Sequence, residues 1–176
     1  MASFAITCVI EQGRYILKEK GKHDAMLNYE TLDAIADAYI PLLALFALGL
    51  LVSALWTAQW KLSAIRSLSL VGIAFIAYGF MTLDAYFNIG SFLSLDYSTH
   101  TAVSLGLIIF LYFNVRRLAI VWIVSFILYL MLMLYQQYHT IADILVTGVV
   151  TGFPVWGLIS YVAERHIVSH LYEVDD

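Results

Sequence analysis

Residues 138–163 read YHTIADILVTGVVTGFPVWGLISYVA, and this stretch decides the fold. From Ile144 to Ala163 it carries no charged side chain and supplies the ~20 apolar residues that an α-helix needs to cross a bilayer. Pro154 predicts a kink in it. At its mouth stand His139 and Asp143, spaced so that on a helix they share one face and the carboxylate holds and polarises the imidazole. That pairing describes a poised base or nucleophile at the entrance of a spanning segment.

Outward from this stretch the same composition continues. The 176 residues are 62% hydrophobic and 12% charged, with a mean hydropathy of +0.84, which is too apolar for a soluble domain of this size. Four further apolar segments are predicted to span: 38–58 with Pro41 in its first turn, a short one at 67–83 bounded by Arg66 and Asp84, 97–115, and 118–135. Trp56 and Trp60 mark an interface after the first of these. Residues 1–37 mix Phe4, Ile6, Val9 and Ile16 with Glu11, Arg14 and Lys18. They suit an amphipathic helix lying in the interface, with a turn at Lys18–Asp24. The aromatic run Ala85–Leu95 reads as an irregular interfacial connection, and 164–176 as a polar C-terminal tail. The expected fold is an all-α integral membrane protein: about five transmembrane helices (38–163) after an N-terminal amphipathic interfacial segment.

The net charge of -4 excludes a nucleic-acid binder, since no basic surface is available to neutralise phosphates along a backbone. The lone Cys8 excludes an internal disulfide. Lys61 and Arg66, Arg116 and Arg117, and Arg165 all follow odd-numbered spans, so the positive-inside rule makes that side and the C-terminus cytoplasmic. Arg14 to Lys22 on the other side oppose this assignment. A plasma or inner membrane is implied, with the histidine end facing the outer, periplasmic or lumenal side.

A second histidine stands at the same end. Asp96-Tyr97-Ser98-Thr99-His100-Thr101 opens the third span, and by parity its start lies on the same side as His139 and Asp143. Ser98 or Asp96 is the expected N-cap, and the N–H groups of Ser98, Thr99 and His100 the expected cradle for an anion. Tyr97, Gln136, Gln137 and Tyr138 are in place to hydrogen-bond a head group or to anchor helix ends. Ionisable residues at one depth of an apolar bundle usually have a task.

These residues resemble a family. Ser98-Thr99-His100-Thr101-Ala102 is similar to a Ser-Gly-His-Thr motif. His139-x-x-x-Asp143 is similar to the last motif of the type-2 phosphatidic acid phosphatase superfamily of membrane lipid phosphatases and phosphotransferases, with Arg66 to Leu83 loosely resembling the sphingomyelin-synthase-like branch. The resemblance implies a phosphohistidine mechanism on a membrane lipid: His139 as nucleophile, Asp143 as its activator, His100 as proton donor to the leaving group, and Asp96, Tyr97, Ser98, Thr99, Gln137 and Tyr138 around the head group. It implies no cofactor and no metal. The chain departs from the family in lacking its first, basic motif and in carrying Thr99 where glycine is usual. Phosphate charge must then be met by Arg14 to Lys22, a metal ion or another chain.

Other readings stand beside this one. His139 and Asp143 are also what a buried polar pair fixing helix packing looks like, and a non-catalytic binding, immunity or complex subunit on the same scaffold is the alternative function. Gly148-x-x-x-Gly152 offers the fifth span as a site for a homo-oligomer or a partner membrane subunit.

Overall fold

The computed structural model describes the backbone of residues 2–88 and 95–173 and the side chains of 29–88 and 95–163. Among these residues every regular element is helical. In chain order they are α1 (Ala2–Trp56), α2 (Trp60–Phe87), α3 (Thr99–Asn114), a short 3-10 turn (Arg116–Leu118), α4 (Ala119–Tyr135) and α5 (Ile141–Glu173). The stretches Tyr29–Trp56, Trp60–Phe87, Arg116–Tyr135 and Ile141–Ala163 are each long and apolar enough to cross a membrane, and α3 is a shorter apolar helix of 16 residues. The chain divides into two units, Met1–Asp37 and Ala38–Asp176.

In the first unit the backbone is helical through Lys18–Asp24, where a turn was expected. One glycine in a helix interior costs only about 1 kcal/mol relative to alanine, and the lysines and glutamate around Gly21 are good helix formers. The interfacial placement of this segment concerns side chains outside the described residues, as does the connection at 89–94. The helix also runs on to Glu173 where a tail was expected.

In the second unit α3 is the hub. It packs against α2, α4 and α5, and Leu107, Ile108, Ile109, Phe110 and Leu111 along it are all buried. Leu43 and Ala47 of α1, Ile73 of α2, Trp122 of α4 and Val155 and Ile159 of α5 complete that core. Tyr39 stacks on Tyr129 with ring centroids 4.2 Å apart and lies 3.1 Å from the Ser125 hydroxyl, tying α1 to α4. Small residues let the helices meet: a Cβ at Gly106 would fall 2.5 Å from Ile73 Cγ2.

The second segment is longer than the predicted 67–83. Arg66 lies inside α2 because its charge is met within the bundle. Its Nε donates to Asn114 Oδ1 at 2.8 Å and its Nη1 to the Leu50 carbonyl. This clasp joins the end of α3 to α1, at the end of the bundle away from His100 and His139.

Candidate functional site

Two turns and a cap build the site. α4 ends in a Schellman turn, in which Tyr138 N–H donates to Met133 O at 3.2 Å and Gln137 N–H to Leu134 O at 3.1 Å. Gln137 is left-handed at φ 59°, a conformation usually given to glycine. Three residues on, Thr140 caps α5 in a capping box with aspartate in the acidic position. Asp143 N–H donates to Thr140 Oγ1 at 3.2 Å, while the Thr140 N–H and hydroxyl donate to Asp143 Oδ2 at 2.8 and 2.7 Å. His139 is thereby held between the end of one helix and the start of the next.

The connection before α3 lies against the opening turns of α5. Asp96 N–H donates to Asp143 Oδ1 at 2.7 Å, and Ser98 N–H donates to Thr147 Oγ1 at 3.1 Å. Tyr97 donates from its hydroxyl to Ala77 O at 2.9 Å and lies 3.2 Å from Thr151 Oγ1, so it bonds to α2 and α5. The Asp96–Thr101 and Tyr138–Asp143 stretches are thus brought together although residues 102–137 lie between them.

One geometric expectation is corrected. His139 and Asp143 do not share a helix face, because His139 precedes α5, and the Asp143 carboxylate is occupied by Thr140 and the Asp96 backbone. The carboxylate facing the imidazole belongs to Asp96, whose Oδ2 lies 3.9 Å from His139 Nδ1. That is too long for a hydrogen bond and within ion-pair range. The imidazole is only 12% exposed and Asp96 78%. His139 Nδ1 is buried without a hydrogen-bond partner among the described residues.

The remaining predicted residues fall as follows. Ser98 is the N-cap of α3, and its hydroxyl accepts from Thr101 N–H at 3.2 Å and from the Thr101 hydroxyl at 2.9 Å. With its own N–H given to Thr147, Ser98 is removed from the expected anion cradle. The N–H groups of Thr99 and His100, first in the helix, remain outside the helical ladder. His100 exposes its side chain at the start of α3, and no hydrogen bond or ion pair joins it to His139 among the described residues. Gln137 and Tyr138 are exposed. Gln136, read from the sequence together with Gln137 as a head-group or helix-end residue, is the C-cap of α4 and is buried, and among the described residues neither its side-chain nitrogen nor its side-chain oxygen is bonded. Two adjacent glutamines after an apolar run hint at such a position. Which of them turns inward depends on a left-handed residue that the sequence does not mark.

Two cavities adjoin these residues. One of about 250 Å³ is bordered by Asp84, Asp96, Tyr97, Asp143 and Thr147. The other, of about 750 Å³, lies between α3, α4 and α5 and reaches Thr101 and Ile144, next to His100 and Asp143. Among the described residues no three His, Cys, Asp or Glu side chains gather as metal ligands. The described cations Lys61, Arg66, Arg116 and Arg117 belong to the opposite helix ends. The arrangement offers a shielded imidazole, an exposed carboxylate 3.9 Å from its Nδ1, and two helix N-termini. Comparison of the chain with protein-family models, with curated proteins and with solved structures returns no match.

Proposed function

We propose that the chain is an integral membrane phosphatase or phosphotransferase acting on a phosphorylated amphiphile, with the histidine end of the bundle facing the outer, periplasmic or lumenal side. The observation that carries the reading is the His139–Asp96 pair, set where the starts of α3 and α5 are bonded together. The neutral imidazole of His139 keeps its proton on Nδ1, the atom nearer the Asp96 charge, and leaves Nε2 with its lone pair. Nε2 attacks phosphorus, the bond from phosphorus to the lipid oxygen breaks, and His100 gives that oxygen its proton. Water or an alcohol then attacks the phosphohistidine, passing its proton to His100 and releasing the phosphoryl group. The N-termini of α3 and α5 and the proton-bearing His100 would meet the phosphate oxygens. Asp96 and Asp143 are positioning residues in this scheme, the first for the imidazole and the second for the turn that carries it.

The test is phosphate release by the purified protein from phosphatidic acid, a prenyl pyrophosphate and a phosphosphingolipid, with acid-labile phosphoenzyme trapped from labelled substrate. Replacing a nucleophile removes most of an enzyme's acceleration, so His139→Ala is expected to lower turnover at least about a thousandfold. His100→Ala is expected to lower it about a hundredfold. A rate unchanged in His139→Ala removes the nucleophile, and wild-type protein inert on the whole panel removes the enzyme. The second reading, a non-catalytic scaffold, is favoured by one observation: the Asp143 carboxylate is wholly engaged in capping α5 and holding the Asp96 backbone.

A further inference from the structure

The apolar cavity between α3, α4 and α5 is not used by the chemistry above. It begins at Thr101 and Ile144, beside the histidine end, and runs to Tyr112 and Trp156 at the other. Gly148 and Gly152 form its α5 wall, and a Cβ built on Gly148 meets nothing within 4 Å. Tyr112 and Trp156 stand 5.8 Å apart, with Phe113 edge-on to Trp156 at 4.9 Å, and close the far end. Leu145 and Val149 on the rim are 62% and 56% exposed, so the cavity opens sideways. The Thr101 hydroxyl at the near end is already given to Ser98.

We propose that this cavity is a slot for one extended hydrocarbon chain whose polar end lies at His139 and Asp96, and that Tyr112 and Trp156 set the chain length accepted. The inference rests on the membrane-enzyme reading and names the substrate as a medium-chain amphiphile. Its length follows from the helix: Thr101 to Tyr112 rise roughly 16 Å along α3. A fully extended chain advances about 1.2 Å per bond, so the slot takes about thirteen methylenes. The lateral opening faces what surrounds an apolar bundle in a bilayer, which is hydrocarbon.

The experiment uses the full chain in phosphatidylcholine nanodiscs with a graded series of alkyl phosphates carrying a terminal diazirine, and peptide mapping after irradiation. Dodecyl and tetradecyl probes are expected to label Tyr112 and Trp156 saturably. Displacing even two methylenes from the slot costs about tenfold in occupancy, so Gly148→Phe is expected to cut that labelling at least about tenfold. Val149→Phe blocks the slot from its rim and serves if the first variant does not fold. Trp156→Ala is expected to move the preferred probe to a longer chain. Labelling that never saturates, that falls equally on the exposed Phe75 of α2, or that both blocking variants leave unchanged overturns the slot. Cross-links to a second copy at Gly152 overturn it in favour of dimerisation. Slot labelling without phosphate release from any probe keeps the slot and removes the enzyme. Phosphate release with labelling indifferent to Gly148→Phe does the reverse.

Discussion

Asp143 and Asp96 look interchangeable as partners for His139, but their surroundings separate their effects. The Asp143 carboxylate accepts from two backbone N–H groups and one hydroxyl while itself buried. Asp143→Asn turns one of its oxygens into a donor facing donors, and is expected to cost about 2–3 kcal/mol, measured by denaturant unfolding in mixed micelles. Asp96 is exposed, so Asp96→Asn is expected to leave stability within about 0.5 kcal/mol. If it orients the imidazole, the same change lowers turnover, with kcat falling while KM holds. Equal losses of stability from both variants would mean that Asp96 is also a strut. Gln137 allows a third comparison: its left-handed backbone favours glycine, so Gln137→Gly is expected to gain about 0.5–1 kcal/mol.

At the level of elements, α3 carries the burial and its neighbours approach it through glycine. Gly106→Ala is expected to cost about 1–3 kcal/mol, because the new methyl meets Ile73, a buried β-branched side chain with one preferred rotamer. Gly72→Ala meets only the far methyl of Leu158, which can rotate away, and is expected to cost less. Thermal unfolding of the two variants side by side checks the order. The helices themselves were legible in the sequence, because long charge-free runs leave few alternatives. Their limits were less so: Arg66 reads as a boundary only until Asn114 and Leu50 are known to receive it. The approach of Asp96–Thr101 to Tyr138–Asp143 was legible from parity. The exchange of partners at His139 was not, since it depends on α5 starting two residues after it, at a cap that also accounts for Asp143.

For the bundle, Lys61, Arg66, Arg116 and Arg117 gather at one end and His100 and His139 at the other. In the proposed orientation the first end is cytoplasmic. With Cys8→Ser as background, Tyr138→Cys is expected to react with a membrane-impermeant maleimide in intact cells, and Arg117→Cys only after permeabilisation. Reaction of both from outside would mean that the helices between them do not cross.

α3, at 16 residues, is the shortest of the apolar helices and the one most enclosed by the others. It rises about 24 Å where a bilayer's hydrocarbon core measures about 30 Å. In the proposed membrane orientation, with its far end held by Arg66, its first turn would lie some distance beneath the lipid head groups, and a phosphorylated substrate would have to sink or the leaflet dimple to deliver it. The protein would then act as a gauge of its host membrane, working fastest where the lipids are thin and slowing as cholesterol-like or long-chain lipids thicken the sheet around it.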